Sequence, residues 1–138
     1  QTVFWNSLPI LIDGAHNPLA TERLSKERQD WDSQSSGVIW ILGIQVNKDG
    51  PEMLRHLLTP IDKAWIIPVP GHSSWTKSSL LEECNNFSDQ LFEARCVEEV
   101  LNKLLLIKPW PSPSPVIAGS LYLIGELISK GIDFHFHR

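Results

Sequence analysis

Short runs of consecutive apolar residues alternate along the chain with segments whose apolar residues recur every three or four positions. Continuous apolar runs are typical of strands that are covered on both faces of a sheet. Spacing by three and four is typical of helices with one buried face. The pattern predicts strands at 2–5, 9–13, 38–42, 64–67, 92–96 and 116–118. It predicts helices from 18 to about 30, at 51–58, from about 76 through Cys84, at 97–105, and from 121 to an end at Gly131.

Strands that alternate with helices of this length predict an α/β fold with a mostly parallel sheet of about six strands between two layers of helices. Few polar residues separate the first two strands, which favours a hairpin and an antiparallel N-terminal edge strand. Residues 33–37 form a predicted polar loop. The tail, 133–138, fits either a strand or a frayed end, and the pattern leaves both open.

Polar residues follow most of the predicted parallel strands. In such sheets ligands bind beyond the carboxyl ends of the strands, at one edge. We therefore expect Asp13, the loops 47–49 and 70–74, and Ser120 to gather at a common rim.

Composition narrows the class of protein. The 138 residues fit one domain, and a net charge of −4 with scattered basic residues argues against nucleic acid as a partner. No apolar run approaches the roughly 20 residues that a membrane-spanning helix needs, so we expect no membrane partner and a cytoplasmic protein. Cys84 and Cys96 lack metal or redox spacing and are predicted to be buried, reduced thiols. The start at Gln1, without methionine, suggests a piece of a longer protein.

Asp13 ends a buried strand in the stretch ILIDGAHNPLA, at residues 10–20. A carboxylate there needs donors or a ligand to replace lost hydration. Gly14 permits a tight turn, and His16 projects beside Asp13 at the start of a helix whose free amides attract anions. Spacing alone leaves Asp13 evenly between a helix-capping acid and a ligand contact. A lone His16 is more often structural.

Ser120 opens the last helix after Gly119, and capping is its favoured role over capture of a small carboxylate. Lys48 and Asp49 lie in N-K-D-G, which is good turn chemistry, so a solvated turn is favoured over a phosphate contact. In the loop 72–74 a nucleophile would need a base and an orienting acid that spacing does not supply.

His135 and His137 would share one face of an extended tail, but two ligands without a third make a weak metal site. The chain also lacks G-x-x-x-x-G-K-[ST] and G-x-G-x-x-G, the phosphate-binding and dinucleotide-binding motifs. We therefore assign no catalytic residue and no metal ligand, and interpret the chain as incomplete for catalysis.

Three motifs occur in order: LIDGAHNP at 11–18, GIQVNKDGPEML at 43–54 and VIAGSLYLIGE at 116–126. Together they resemble the carboxyl-terminal domain of folylpolyglutamate synthase, or bifunctional dihydrofolate and folylpolyglutamate synthase, within the Mur ligase superfamily. The resemblance covers nearly the whole chain. It implies a Rossmann-like three-layer sandwich and a C-terminal glutamate ligase domain over residues 1–138.

The resemblance also implies an activity. Such enzymes use ATP to phosphorylate a carboxylate of folate or dihydropteroate, and the amine of L-glutamate attacks the acyl phosphate to give an amide, ADP and phosphate. ATP and magnesium are bound mainly by a central domain with the P-loop, which would be the partner of this domain and lies outside the sequence. The isolated domain is then expected to be inactive. Dihydrofolate synthase and folylpolyglutamate synthase activity, or both, remain open.

Site residues follow from the resemblance by position. Asp13 is placed on the nucleotide, and His16 and Ser120 near the incoming glutamate, as contacts without proton transfer. Many relatives carry R-A or R-S in the loop where this chain has residues 72–75, so no role is transferred there. The alternatives are a stand-alone doubly wound module that binds an acidic metabolite or a protein partner, with Asp13 and Ser120 as caps, and a ligase that adds another amino acid.

Overall fold

The computed structural model describes residues 1–31 and 37–129 and the backbone of 135–136. The strands in this part of the chain are β1 Thr2–Trp5, β2 Leu8–Ile12, β3 Ile39–Leu42, β4 Lys63–Ile66, β5 Leu91–Glu93, β6 Val116–Ala118 and β7 His135–Phe136. The α-helices are α1 Pro18–Glu27, α2 Gly50–Leu57, α3 Lys77–Glu83, α4 Val97–Leu105 and α5 Leu121–Ser129.

One sheet contains all of these strands, in the order β5-β4-β3-β6-β2-β1-β7. Neighbouring strands from β5 to β2 are parallel, whereas β1 is antiparallel to β2. The backbone of β7 pairs antiparallel with β1, outside it, so the described sheet has seven strands where about six are predicted. The α/β fold with its antiparallel N-terminal hairpin is confirmed, and part of the tail is a strand.

Two apolar clusters cover the two faces of the sheet. Trp40 and Leu42 of β3 belong to a cluster with the buried residues of α1, α2 and α3, whereas Ile41 between them joins a cluster with α4 and α5. Successive side chains of a strand point to opposite faces, so a strand with helices on both sides needs apolar residues at every position. This explains why β3 reads as a continuous apolar run.

The predicted element types are correct within the described residues, and the differences lie at the ends. Helix α1 ends at Glu27, and a 3-10 turn, Arg28–Asp30, replaces its predicted last turn. Asn17 caps α1, with its side chain accepting from the amide of Ala20 at 2.8 Å. The predicted loop 33–37, apart from Gly37, and the predicted helix end at Gly131 fall outside the described residues.

A buried ion pair lies at the end of α1. The guanidinium of Arg28 donates to both carboxylate oxygens of Asp62, and both side chains are nearly inaccessible to solvent. Asp62 also accepts from the amides of Val38 and Thr59 and from the indole of Trp40. Arg28 itself keeps helical dihedral angles and begins the 3-10 turn, so the buried pair joins the end of α1 to the residue that precedes β4.

One of the two cysteine predictions is wrong. Cys84 is buried, but Cys96 is exposed, and both are free thiols. Cys96 precedes the first residue of α4, where the chain turns at the surface, so the apolar periodicity that begins at Val97 does not include it.

Candidate functional site

The turns after β2 and β6 lie against each other at the carboxyl edge of the sheet. The amide of Asp13 donates to the carbonyl of Ile117 at 3.0 Å, and the amide of Gly119 donates to the carbonyl of Ala15 at 2.8 Å. Gly119 has φ +106°, and a Cβ there would lie 2.5 Å from the carbonyl oxygen of Gly43. Glycine is therefore required at this close approach of three turns.

Asp13 directly follows β2, and one of its carboxylate oxygens is occupied. Its Oδ1 accepts from the amide of Ala15 at 2.8 Å and from Nη2 of Arg23 at 3.2 Å. No described residue donates to Oδ2, and the side chain is 15% exposed. Asp13 does not cap α1, because Asn17 does. The carboxylate thus retains an oxygen available to a ligand at the rim.

Arg23 is a partner of Asp13 that the sequence reasoning missed. It lies on α1, where its guanidinium also contacts Glu27, one helical turn further along. The carboxylate of Asp13 is the main cause that raises the pKa of Arg23 above its ordinary value, with Glu27 adding to the effect against partial burial. In the sequence, Glu27 four residues later already accounts for Arg23 as a helix ion pair. Nothing in the local pattern therefore indicates a second contact with Asp13.

His16 follows Asp13 in the same turn. Its Nδ1 donates to the carbonyl oxygen of Gly14, 2.8 Å away, so Nε2 is the ring nitrogen that this contact leaves for a ligand. The ring therefore has a fixed place beside the start of α5 and lines a groove with Ser120.

Ser120 is 3% exposed and sits immediately before α5. Its Oγ accepts from the amide of Tyr122 at 3.1 Å and faces that of Leu123 at 3.5 Å. The capping geometry favoured from the sequence is therefore present. Ser120 also lines the groove beside the first turn of the helix.

The groove has a volume of about 430 Å³. It is lined by His16, Gln45, Asn47, Lys48, Gly119, Ser120, Leu121 and Tyr122. None of these residues is acidic, and several are hydrogen-bond donors, so the groove suits an anion. Sequence reasoning missed Gln45 and Tyr122, although Tyr122 lies two residues after Ser120 in the GSLYLIGE motif.

Some of the other predicted rim residues line the groove, whereas others stabilise neighbouring helices and loops. Asn47 and Lys48 reach the groove, whereas Asp49 caps α2 by accepting from the amide of Glu52 at 3.1 Å. His72 stacks on Tyr122 with ring centroids 4.3 Å apart. Ser74 accepts from the amide of Val69 at 2.7 Å, which is a loop-stabilising contact.

Within the described residues no group of three or more His, Cys, Asp or Glu side chains could hold a metal ion. The side chains of His135 and His137 lie outside that description. No described helix is long and apolar enough to cross a membrane.

The family model described as "Dihydrofolate synthetase, C-terminal domain" matches residues 1–130. A dihydrofolate synthetase of Saccharomyces cerevisiae is 28% identical over 131 residues, covering 88% of this chain and 30% of that protein. The chain thus spans less than a third of that relative.

Solved structures share the fold. Folylpolyglutamate synthase of Thermotoga maritima superimposes with a TM-score of 0.73 at 21% identity, over 95% of this chain and 30% of that one. Mycobacterium tuberculosis folylpolyglutamate synthase complexed with ADP and AMPPCP gives 0.70 at 17% identity, over 95% and 31%. The family resemblance carried by the three motifs and the Rossmann-like fold class are both confirmed.

Proposed function

The chain belongs to the family of dihydrofolate synthetase C-terminal domains, and on that premise we propose that it serves an ATP-dependent carbon–nitrogen ligase. The proposed reaction joins the amine of L-glutamate to a carboxylate of dihydropteroate or folate. Residues 1–138 are proposed to be the C-terminal domain of that enzyme. The phosphate-binding loop and the partner surface would belong to its central domain, consistent with the share of the relative's length that the chain covers.

One observation carries this proposal: the turn with Asp13 and His16 is hydrogen-bonded to the turn that precedes Ser120. Parallel pairing of β2 with β6 puts both turns at the same rim. Residues far apart in the sequence are thereby available to two ligands held by one neighbouring domain.

Asp13 fits a nucleotide contact on chemical grounds. Its Oδ2 lacks a donor among the described residues, and ribose hydroxyls donate well to a carboxylate. ATP, when bound, would supply the phosphoryl group that activates the substrate carboxylate. The described residues do not provide a magnesium site, so no step is assigned to a metal in this domain.

The groove supports glutamate as the second ligand. Ser120 and His16 line it, Lys48 brings a positive charge, and none of its lining residues is acidic. The groove also lies at the N-terminus of α5, where the helix dipole favours a negative charge. We propose that Ser120 and His16 hold L-glutamate by contact, with no proton transfer assigned to either.

The proposal is tested by steady-state kinetics on the full-length enzyme that contains this domain. Asp13→Ala should raise the KM for ATP about tenfold, because a hydrogen bond to a charged group is lost. Ser120→Ala and His16→Ala should raise the KM for L-glutamate instead. Thr76→Ala is the matched control, because Thr76 caps α3 as Ser120 caps α5 but lies outside the groove.

Three results would count against the proposal. Unchanged Michaelis constants in the Asp13, His16 and Ser120 variants would remove these contacts, and turnover with another amino acid but not glutamate would remove the substrate. Residues 1–138 expressed alone should form no glutamate-dependent ADP. Turnover by that domain alone would show that no central domain is needed.

A further inference from the structure

Three charged side chains, Glu27, Arg23 and Asp13, are linked by two ion pairs, and Asp13 lies at the rim. Arg23 lies between Asp13, 3.2 Å from Nη2, and Glu27, 2.5 Å from Nη1. Arg23 and Glu27 are about half exposed, whereas Asp13 is largely covered. The helix α1 therefore carries a cation that spans from its own surface to the end of β2.

The contact with Arg23 limits how the Asp13 carboxylate can rotate. The last torsion of an aspartate is broad and nearly two-fold, so an isolated carboxylate exchanges its two oxygens easily. Here Oδ1 receives two donors, the amide of Ala15 and the guanidinium of Arg23. With Oδ1 held, Oδ2 is the oxygen that remains for a ligand, in one direction.

We propose that Arg23 is a positioning residue for nucleotide binding, which holds the Asp13 carboxylate oriented so that Oδ2 faces the ribose hydroxyls. This inference rests on the proposed function, because it takes Asp13 as a nucleotide contact. Arg23 acts through Asp13 and does not touch the nucleotide. Glu27 anchors the other side of the guanidinium, which reduces the number of orientations that Arg23 samples.

Preorganisation is the physical reason for an effect on binding. A carboxylate already oriented for its ligand loses less rotational freedom when the ligand binds. The contribution is small, because the Arg23 pair is half exposed and exposed ion pairs are screened by water. It should affect the affinity for nucleotide and leave the chemical step unchanged, since Asp13 contacts no reacting atom in the proposed arrangement.

The helix offers a matched control. Lys26 pairs with Glu22 at 3.6 Å, one turn apart on the same helix, and is also a surface cation. Its pair does not extend to β2. Lys26→Gln therefore removes one positive charge and one helix ion pair from α1 without altering Asp13.

The experiment is a double-mutant cycle on the full-length enzyme with Arg23→Gln, Asp13→Ala and the combination, measuring kcat and the KM for ATP. Arg23→Gln should raise the KM for ATP about threefold to fivefold with kcat unchanged, and Lys26→Gln should match the wild type. The combined variant should be no worse than Asp13→Ala alone, because Arg23 has nothing to orient once Asp13 is gone. Thermal unfolding of each variant verifies that the fold is retained.

The outcomes separate this inference from the proposed function. If the increases in the KM for ATP multiply in the combined variant, Arg23 acts independently of Asp13. If Arg23→Gln leaves the KM for ATP unchanged, the orientation of the carboxylate is unimportant. Either result overturns the inference while the Asp13 contact stands. A KM for ATP that is unchanged in Asp13→Ala overturns the Asp13 contact and the inference together.

Discussion

The amide of Gly119 donates a hydrogen bond to the carbonyl of Ala15, 2.8 Å away. This bond joins the turn after β2 to the turn after β6, two segments more than 100 residues apart in the chain. Asp13 and His16 belong to the turn that contains Ala15, and Ser120 directly follows Gly119 in the chain. The candidate site depends on this contact, because the distance between the two turns sets the spacing of Asp13 and Ser120 at the rim.

Gly119→Ala should destabilise the domain and disturb the site together. Its φ of +106° is unfavourable for alanine, and the new Cβ would lie 2.5 Å from the backbone oxygen of Gly43. We expect a loss of about 2 kcal/mol or more in the free energy of unfolding. Urea denaturation measures it.

Gly125→Ala is the matched control for that substitution. Gly125 lies inside α5, and nothing stands within 4 Å of a Cβ at this position. Alanine favours a helix interior by about 0.5–1 kcal/mol over glycine, so this variant should be more stable than the wild type. Equal destabilisation by both changes would contradict the steric explanation for Gly119.

Ser120→Ala should cost about 1 kcal/mol of stability, the usual value for loss of a helix cap. The reason is that Oγ of Ser120 accepts from the amide of Tyr122, which would lose its partner. Ser120→Asp restores an acceptor and should recover most of that stability in urea denaturation. It should not restore binding of L-glutamate, because a carboxylate would face a carboxylate; recovery of both would argue against an anion in the groove.

Asp62→Ala should be the most destabilising of the charge-removing substitutions. It leaves the guanidinium of Arg28 buried without its ion-pair partner, and such changes cost about 3–5 kcal/mol. Lys26→Ala, which breaks a surface pair with Glu22, should cost well under about 1 kcal/mol. Chemical denaturation of both variants compares a buried pair with an exposed one, and similar losses would contradict the structure.

Acid should destabilise the domain partly through Asp62. Burial raises the pKa of Asp62, but donors from Arg28, Thr59, Val38 and Trp40 outweigh it, and the pKa lies below its ordinary value of 3.8. The stabilisation is therefore complete above the pKa of an unfolded aspartate and is lost as the pH falls below it. Unfolding measured from neutral pH to below about pH 4 should show a steeper loss for the wild type than for Asp62→Asn. Parallel curves would contradict this linkage.

The alternation of apolar runs and helical spacing was enough to predict the order and type of the elements. Each strand of the parallel core is apolar at consecutive positions because helices cover both faces, and β3 shows this with Trp40 and Ile41 facing opposite clusters. The ends were predicted less well. Arg28 begins a 3-10 turn and pairs with Asp62, a residue far along the chain that the local pattern does not reveal.

Within the site the sequence determined that an acid, a histidine and a capping serine follow apolar strands, and that three motifs match one family. Only the tertiary structure decided that Arg23 holds Asp13 and that Tyr122 and Gln45 share a groove with Ser120. The physical reason is the range of each interaction. Periodicity and capping act between residues a few positions apart, so the sequence alone reveals them. The pairing of β2 with β6 and the contact of Arg23 with Asp13 join separate segments, and these contacts form only when the sheet has folded.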